Sequence, residues 1–205
     1  MTPMLGIMAS QISGHLWAPS GAYDSIATAT VGSGGSSTIT FSSIPSTYTH
    51  LQIRLSAQSN RGDYVIDRLK LKINSDTGAN YSAHYVNSNA LLSSTTPGVS
   101  GLATQTVLSI LPMSAIYTNV APWAAIHGAG IIDILDYANV SKYKTVRAIG
   151  GNDSNGTPAN YGGYVELGSG LWQNTSAITQ LDFTVESGTL FNQYSTFALY
   201  GIKGA

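Results

Sequence analysis

The chain reads as an all-β protein, a sandwich or barrel of about eight to ten short strands. Three observations carry that reading. Apolar residues alternate with polar ones over short runs, as in Leu51-Gln52-Ile53-Arg54-Leu55 and Leu69-Lys70-Leu71-Lys72-Ile73. Such a period of two gives a strand one dry face and one wet face. Gly, Ser, Asn and Pro clusters separate the runs, and these are turn formers. No stretch keeps a helical period long enough for the crossover helices of a parallel α/β sheet.

Residues 1–21 read as an N-terminal docking arm ahead of a single β domain over 22–205. The arm holds Met4, Leu5, Ile7, Met8, Leu16 and Trp17, and no Asp, Glu, Lys or Arg precedes Asp24. Its glycines and prolines discourage a helix. An uncharged apolar arm is expected to dock, on its own domain or as a clamp on a neighbouring subunit.

The strands then follow in order. Residues 23–31 form the first and end at Gly32-Ser33-Gly34-Gly35, which reads as a hairpin turn. Residues 36–42 follow, with Ile39 and Phe41 pointing one way, and Pro45 closes them. Strands are expected around 51–55 and 69–73, with Asn74-Ser75-Asp76-Thr77-Gly78 as an Asx-type turn. Residues 81–89 read as a short helical turn or loop, and 93–101 as a loop. Further strands fall at 104–111, 131–137, 142–149, 164–172, 177–185 and 196–203, with a long loop over 150–163. The final run, Phe197-Ala198-Leu199-Tyr200-Gly201-Ile202, is apolar enough to lie inside a sheet.

Composition narrows the function. Charged residues make up 9% of 205 residues, well below a typical soluble domain, and the net charge is −1. Phosphate binding needs a basic field, so nucleic acid is not expected as the partner. No apolar run reaches the length of a membrane helix, and no membrane partner is expected. A surface of hydroxyls and amides suits contact with other proteins, because little charge must be desolvated. There are no cysteines, and the four histidines lie far apart without a metal-ligand spacing. No cofactor and no metal are expected.

Candidate site residues form three groups. The arm residues above make a candidate assembly interface. Arg68, Lys70 and Lys72 share one strand face and could meet an acidic partner, or simply keep that face wet. Tyr81, Tyr85, Tyr161 and Tyr164 could form a subunit contact or stack on glycan, since a tyrosine has an apolar body and a polar tip. No catalytic signature is present. Asp133 and Asp136 fall on opposite faces of a strand and cannot act as a pair. Asp182 and Glu186 sit near a strand end, and Glu166 with a distant Asp is the remaining carboxylate combination for glycoside hydrolysis. Arg61-Gly62-Asp63 reads as a turn between two strands.

Several segments, in order along 22–205, resemble a bacteriophage virion surface protein family. They are Ser36 to Tyr48, Ile73 to Ser82, Ile134-Leu135-Asp136-Tyr137-Ala138-Asn139 with Lys142-Tyr143-Lys144-Thr145, Gly170-Leu171-Trp172, and Phe197 to Lys203. The resemblance implies a jelly-roll-like antiparallel sandwich, found in capsid cement or decoration proteins and in the tips of head and tail fibres. It implies a homotrimer, made in the host cytoplasm and placed on the outer surface of the virion, with no enzymatic activity. A short arm with a knob favours a decoration protein bound to the major capsid protein or another virion protein. The alternative is a tail or short-fibre tip that recognises host surface polysaccharide. The third reading is a carbohydrate-active or carbohydrate-binding domain.

Overall fold

The computed structural model describes residues 22–89, 98–115, 125–153 and 163–204, and the predicted arm lies outside them. Twelve strands form among the described residues: β1 (Tyr23–Thr30), β2 (Ile39–Phe41), β3 (His50–Ser59), β4 (Ile66–Ile73), β5 (Tyr81–Asn89), β6 (Gly98–Gln105), β7 (Leu108–Ala115), β8 (Gly128–Ile134), β9 (Lys144–Asn152), β10 (Tyr164–Trp172), β11 (Leu181–Val185) and β12 (Thr196–Ile202).

Eight of these strands make a jelly roll. Four antiparallel pairs nest inside one another: β1 with β12, β2 with β11, β3 with β8, and β4 with β7. This is the connectivity of one long hairpin wrapped over itself. The wrap closes through two more antiparallel contacts, β12 with β3 and β11 with β4. A sheet ordered β1-β12-β3-β8 therefore faces a sheet ordered β2-β11-β4-β7. The two are joined at one corner, where Gln58 and Ser59 of β3 lie parallel to Ser114 and Ala115 of β7.

Two insertions widen the first sheet. The β5–β6 hairpin interrupts the jelly roll between β4 and β7, and the β9–β10 hairpin interrupts it between β8 and β11. They pair with each other through β10 and β5, and β9 adds to β8. The large sheet thus runs β1-β12-β3-β8-β9-β10-β5-β6.

The core sits between the sheets and is organised by the period of two. All four phenylalanines of the chain are buried there. Phe41 of β2 meets Phe183 of β11 edge-on at 6.3 Å. Phe183 meets Phe197 of β12 at 5.4 Å, and Phe191 packs on Phe197 at 5.2 Å. One chain of rings therefore bridges the two sheets, with Leu51, Ile53, Leu69 and Leu71 around it. Lys144 is also fully buried, because its ammonium donates to the carbonyls of Asn139, Lys142 and Thr175 at 2.6, 2.9 and 2.9 Å. Burial pushes that lysine below its ordinary pKa, with the nearby Lys142 charge adding to the shift.

Three expectations are corrected. Residues 81–89 are a strand, not a helical turn or loop, and 98–101 belong to β6 rather than to a loop. Their period of two is muted in the sequence because the inward residues of β5 include Tyr81, Ala83 and Tyr85 rather than branched aliphatics. The Gly32–Gly35 turn does not close a hairpin, since β1 and β2 lie in different sheets. It carries the chain across the sandwich edge. Gly35 takes a φ of 79° there, and a Cβ at that position would lie 2.7 Å from the Phe191 carbonyl oxygen.

Candidate interaction face

The outer face of the large sheet carries an apolar belt. Cross-strand register places Val86 of β5, Leu167 of β10, Ile149 of β9 and Ile131 of β8 in one row. All four point away from the core. Val165 lies beside this row, and Leu135 lies at the end of β8. Ile149, Val165 and Leu167 are 51, 54 and 48% exposed, and Val86, Ile131 and Leu135 are exposed as well. Between the row and Leu135 runs an open groove of about 460 Å³, lined by His84, Val86, Leu135, Arg147, Leu167 and Ser169. Contiguous exposed aliphatics of this extent mark interaction surfaces more often than they mark ordinary solvent-facing sheet.

The polar groups on this face are tied to one another. Arg147 donates to Asp133 at 2.7 Å, Gln52 donates to the other oxygen of Asp133 at 2.8 Å, and Arg54 donates to Gln52 at 2.8 Å. The Arg54 guanidinium also lies 5.5 Å from the ring centres of Tyr23 and Tyr200. The Arg147 side chain is 67% exposed, so covering its ion pair would cost desolvation, and a partner gains most on the aliphatic row beside it. A roughly 400 Å² apolar contact at about 25 cal/mol per Å² contributes about 10 kcal/mol before association costs.

A second cluster ties the inserted strands to the small sheet. Arg68 of β4 donates to both oxygens of Glu166 on β10, at 3.0 and 2.6 Å. The guanidinium lies 3.9 Å from the ring centre of Tyr85, and it reaches the Tyr164 hydroxyl at 3.4 Å. The Glu166 side chain is fully buried. Burial pushes its carboxyl up from the ordinary value, and Arg68, Tyr164 and Asn87 pull it back only in part. For Arg68, burial opposes the charge and the Glu166 carboxylate outweighs it, so the guanidinium stays protonated. Tyr164 is pushed up to about 12, first by burial and then by the Glu166 charge. The arrangement is a clasp, closed on itself.

These positions revise the sequence-based candidates. Arg68 is not part of a free basic face, because its charge is spent on Glu166. Lys70 and Lys72 do share the outward face of β4, but Asp182 lies directly opposite Lys72 on β11. The row therefore offers no uniform positive field to an acidic partner. Tyr81 is 1% exposed and cannot meet glycan or another subunit. Its hydroxyl accepts from the Ile73 N–H and faces the carbonyls of Ile73 and Asp76, and burial pushes it up to about 12. Tyr85 and Tyr164 do come together, around Arg68. Tyr161 and the arm residues Met4, Leu5, Ile7, Met8, Leu16 and Trp17 lie outside the described residues.

The carboxylates are dispersed. Asp133 pairs with Arg147, while Asp136 sits in a turn beyond β8 with a φ of 47° and pairs with Lys142. Glu186 accepts from the Ser109 hydroxyl at 2.7 Å. Glu166, shut in by Arg68, has no open face toward a substrate. Arg61 folds back on Asp63 at 2.7 Å, so the Arg-Gly-Asp turn is bonded internally.

The belt is what sequence reasoning missed. Its signal was available: Ile131-Ile132 puts aliphatics on both faces of β8, and Val165 and Leu167 flank an inward Glu166 on β10. A strand with apolar residues at both parities is covered on both faces or waits to be covered. No family model, curated protein or solved structure matches this chain.

Proposed function

We propose that the chain is a non-enzymatic structural protein of a bacteriophage virion, a capsid cement or decoration protein that binds the outer surface of the head and stabilises it. The single observation that carries this reading is the exposed apolar belt on the outer face of the large jelly-roll sheet. The family resemblance of the sequence segments above supports the phage setting and the homotrimer. The mechanism is mechanical: each copy buries apolar surface against its neighbours, and many copies multiply a modest contact across the shell. Mass-based stoichiometry of whole particles tests it. A decoration protein is present in hundreds of copies per particle. A handful of copies contradicts head decoration.

A handful would favour the second reading, a tail or short-fibre tip that recognises host surface polysaccharide. One observation speaks for it. A cleft of about 270 Å³ beside β4 combines Arg61, Tyr64, Glu186 and Ser187, the mix of one aromatic ring and several hydrogen-bonding groups that sugars require.

A further inference from the structure

We propose that the occupant of the belt is the uncharged segment Met4–Trp17 of a neighbouring copy of this chain. The inference deepens the assembly reading above and rests on it. Four observations carry it. The segment has no Asp, Glu, Lys or Arg, and it supplies Met4, Leu5, Ile7, Met8, Leu16 and Trp17 as apolar groups. The belt suits such a partner, because its row is aliphatic and the Asp133 carboxylate beside it is already paired with Arg147. A segment without Asp, Glu, Lys or Arg brings no such charge to be desolvated against the aliphatic row.

The segment also joins the fold at the right place. It leads into β1, the edge strand at the opposite end of the same large sheet from β5. Tyr23, the first residue of β1, lies over Arg54 on the same outer face as the belt. The belt spans β8 to β5, which lie three to six strands from β1, or about 14–29 Å at about 4.8 Å per strand. The chain from Tyr23 back to Trp17 and Met4 spans up to about 20 and 60 Å, so reach is not limiting.

The assembly reading chooses the neighbour, because a homotrimer needs a contact between copies. The segment enters at the β1 edge of the sheet, and the belt runs from β8 toward the opposite edge. Copies set end to end in a closed ring place each start beside the next copy's belt. Such a head-to-tail contact closes into a trimer when the rotation is right.

The chain has no cysteine, which makes the test clean. Two single variants, Met8→Cys and Ile149→Cys, are assembled together at equal concentrations and oxidised. A disulfide joining position 8 to position 149 can then form only between chains. The expected result is a link at least about tenfold more abundant than with Thr40→Cys, which is exposed on the outer face of the small sheet. Equal yields at positions 149 and 40 overturn the proposal. So does a preference for links between two Ile149→Cys chains, which would make the occupant a second belt. A Met8→Cys/Ile149→Cys double variant that closes only within one chain also overturns it.

A second measurement avoids any assembly step. The Ile149→Cys thiol should react with a soluble thiol reagent about tenfold faster when Leu5→Ser, Met8→Ser and Trp17→Ser are added. An unchanged rate rejects the segment as occupant. If the link fails while the protein still sediments as a trimer, only the occupant is wrong. If it sediments as a monomer, the assembly reading itself falls.

Discussion

Arg68 and Glu166 show how a charge pair can be kept inside this sandwich. The pair is bidentate, the carboxylate is fully buried, and the guanidinium is stacked on Tyr85. Removing one partner strands the other in a dry site, which costs more than the pair gains over an apolar replacement. Glu166→Gln should therefore lower the unfolding free energy by about 3 kcal/mol, while Arg68→Met with Glu166→Leu recovers most of it. Urea unfolding of the three proteins checks both numbers, and a neutral Glu166→Gln would show that the clasp is not closed. Asp76 behaves differently. It accepts from the Trp172 indole at 2.7 Å, from Asn80 at 2.9 Å and from the Gly78 N–H at 2.8 Å. The hydrogen bonds from Asn80 and Trp172 hold its carboxyl below the usual value, with burial opposing them. A carboxyl whose folded pKa lies below its unfolded one adds stability above the unfolded value and loses it as pH falls through the folded value. Stability should thus drop as the pH falls below about 4, with a smaller drop in Asp76→Asn. Denaturant midpoints across that range, together with the Trp172 indole N–H resonance, measure it.

At the scale of the element, β12 explains both what the sequence disclosed and what it hid. Phe197, Leu199 and Gly201 face the core in a period of two, and β12 lies between β1 and β3, so the apolar ending was legible as an interior strand. The glycine was not. A Cβ on Gly201 would lie 2.3 Å from the Tyr48 ring, which covers the glycine from a loop 153 residues earlier in the chain. Gly201→Val should cost about 3 kcal/mol through overpacking, and Gly201→Val with Tyr48→Ala should cost less than the sum of the two single changes. Thermal unfolding of the single and double variants decides it. The same logic separates the legible from the hidden elsewhere. β3, β4 and β11 announce themselves, because their inward residues are mostly Leu, Ile, Val or Phe and their outward ones are mostly polar. β5 and β6 do not, because Tyr, Ala, Ser and Gly carry little periodic contrast. The jelly-roll wrap could be anticipated only through the family resemblance, since nested pairing such as β2 with β11 spans more than a hundred residues and leaves no local trace. Of the candidate sites, Tyr85 and Tyr164 both lie against Arg68, and the sequence could not show that they turn there rather than toward a partner. The belt was hidden because strand parity alone does not say which face is dry.

For the whole molecule, the jelly roll supplies a stiff body and the two inserted hairpins supply most of its outward apolar surface. β8, β9, β10 and β5 form one continuous half of the large sheet, and the clasp at Arg68 fixes that half against the small sheet. A block built in this way presents a preformed face, so association spends little on ordering the side chains of that face. The phage reading requires that copies meet through this face. Sedimentation equilibrium of the purified full chain tests that requirement most directly, beside a variant carrying Ile131→Ser, Ile149→Ser and Leu167→Ser. These three side chains are exposed, so the variant should keep the native circular dichroism spectrum. The account predicts a native mass three times the chain mass of 21.5 kDa and a variant at the chain mass. A native protein that stays at the chain mass at high concentration, or a variant that remains trimeric, would contradict it.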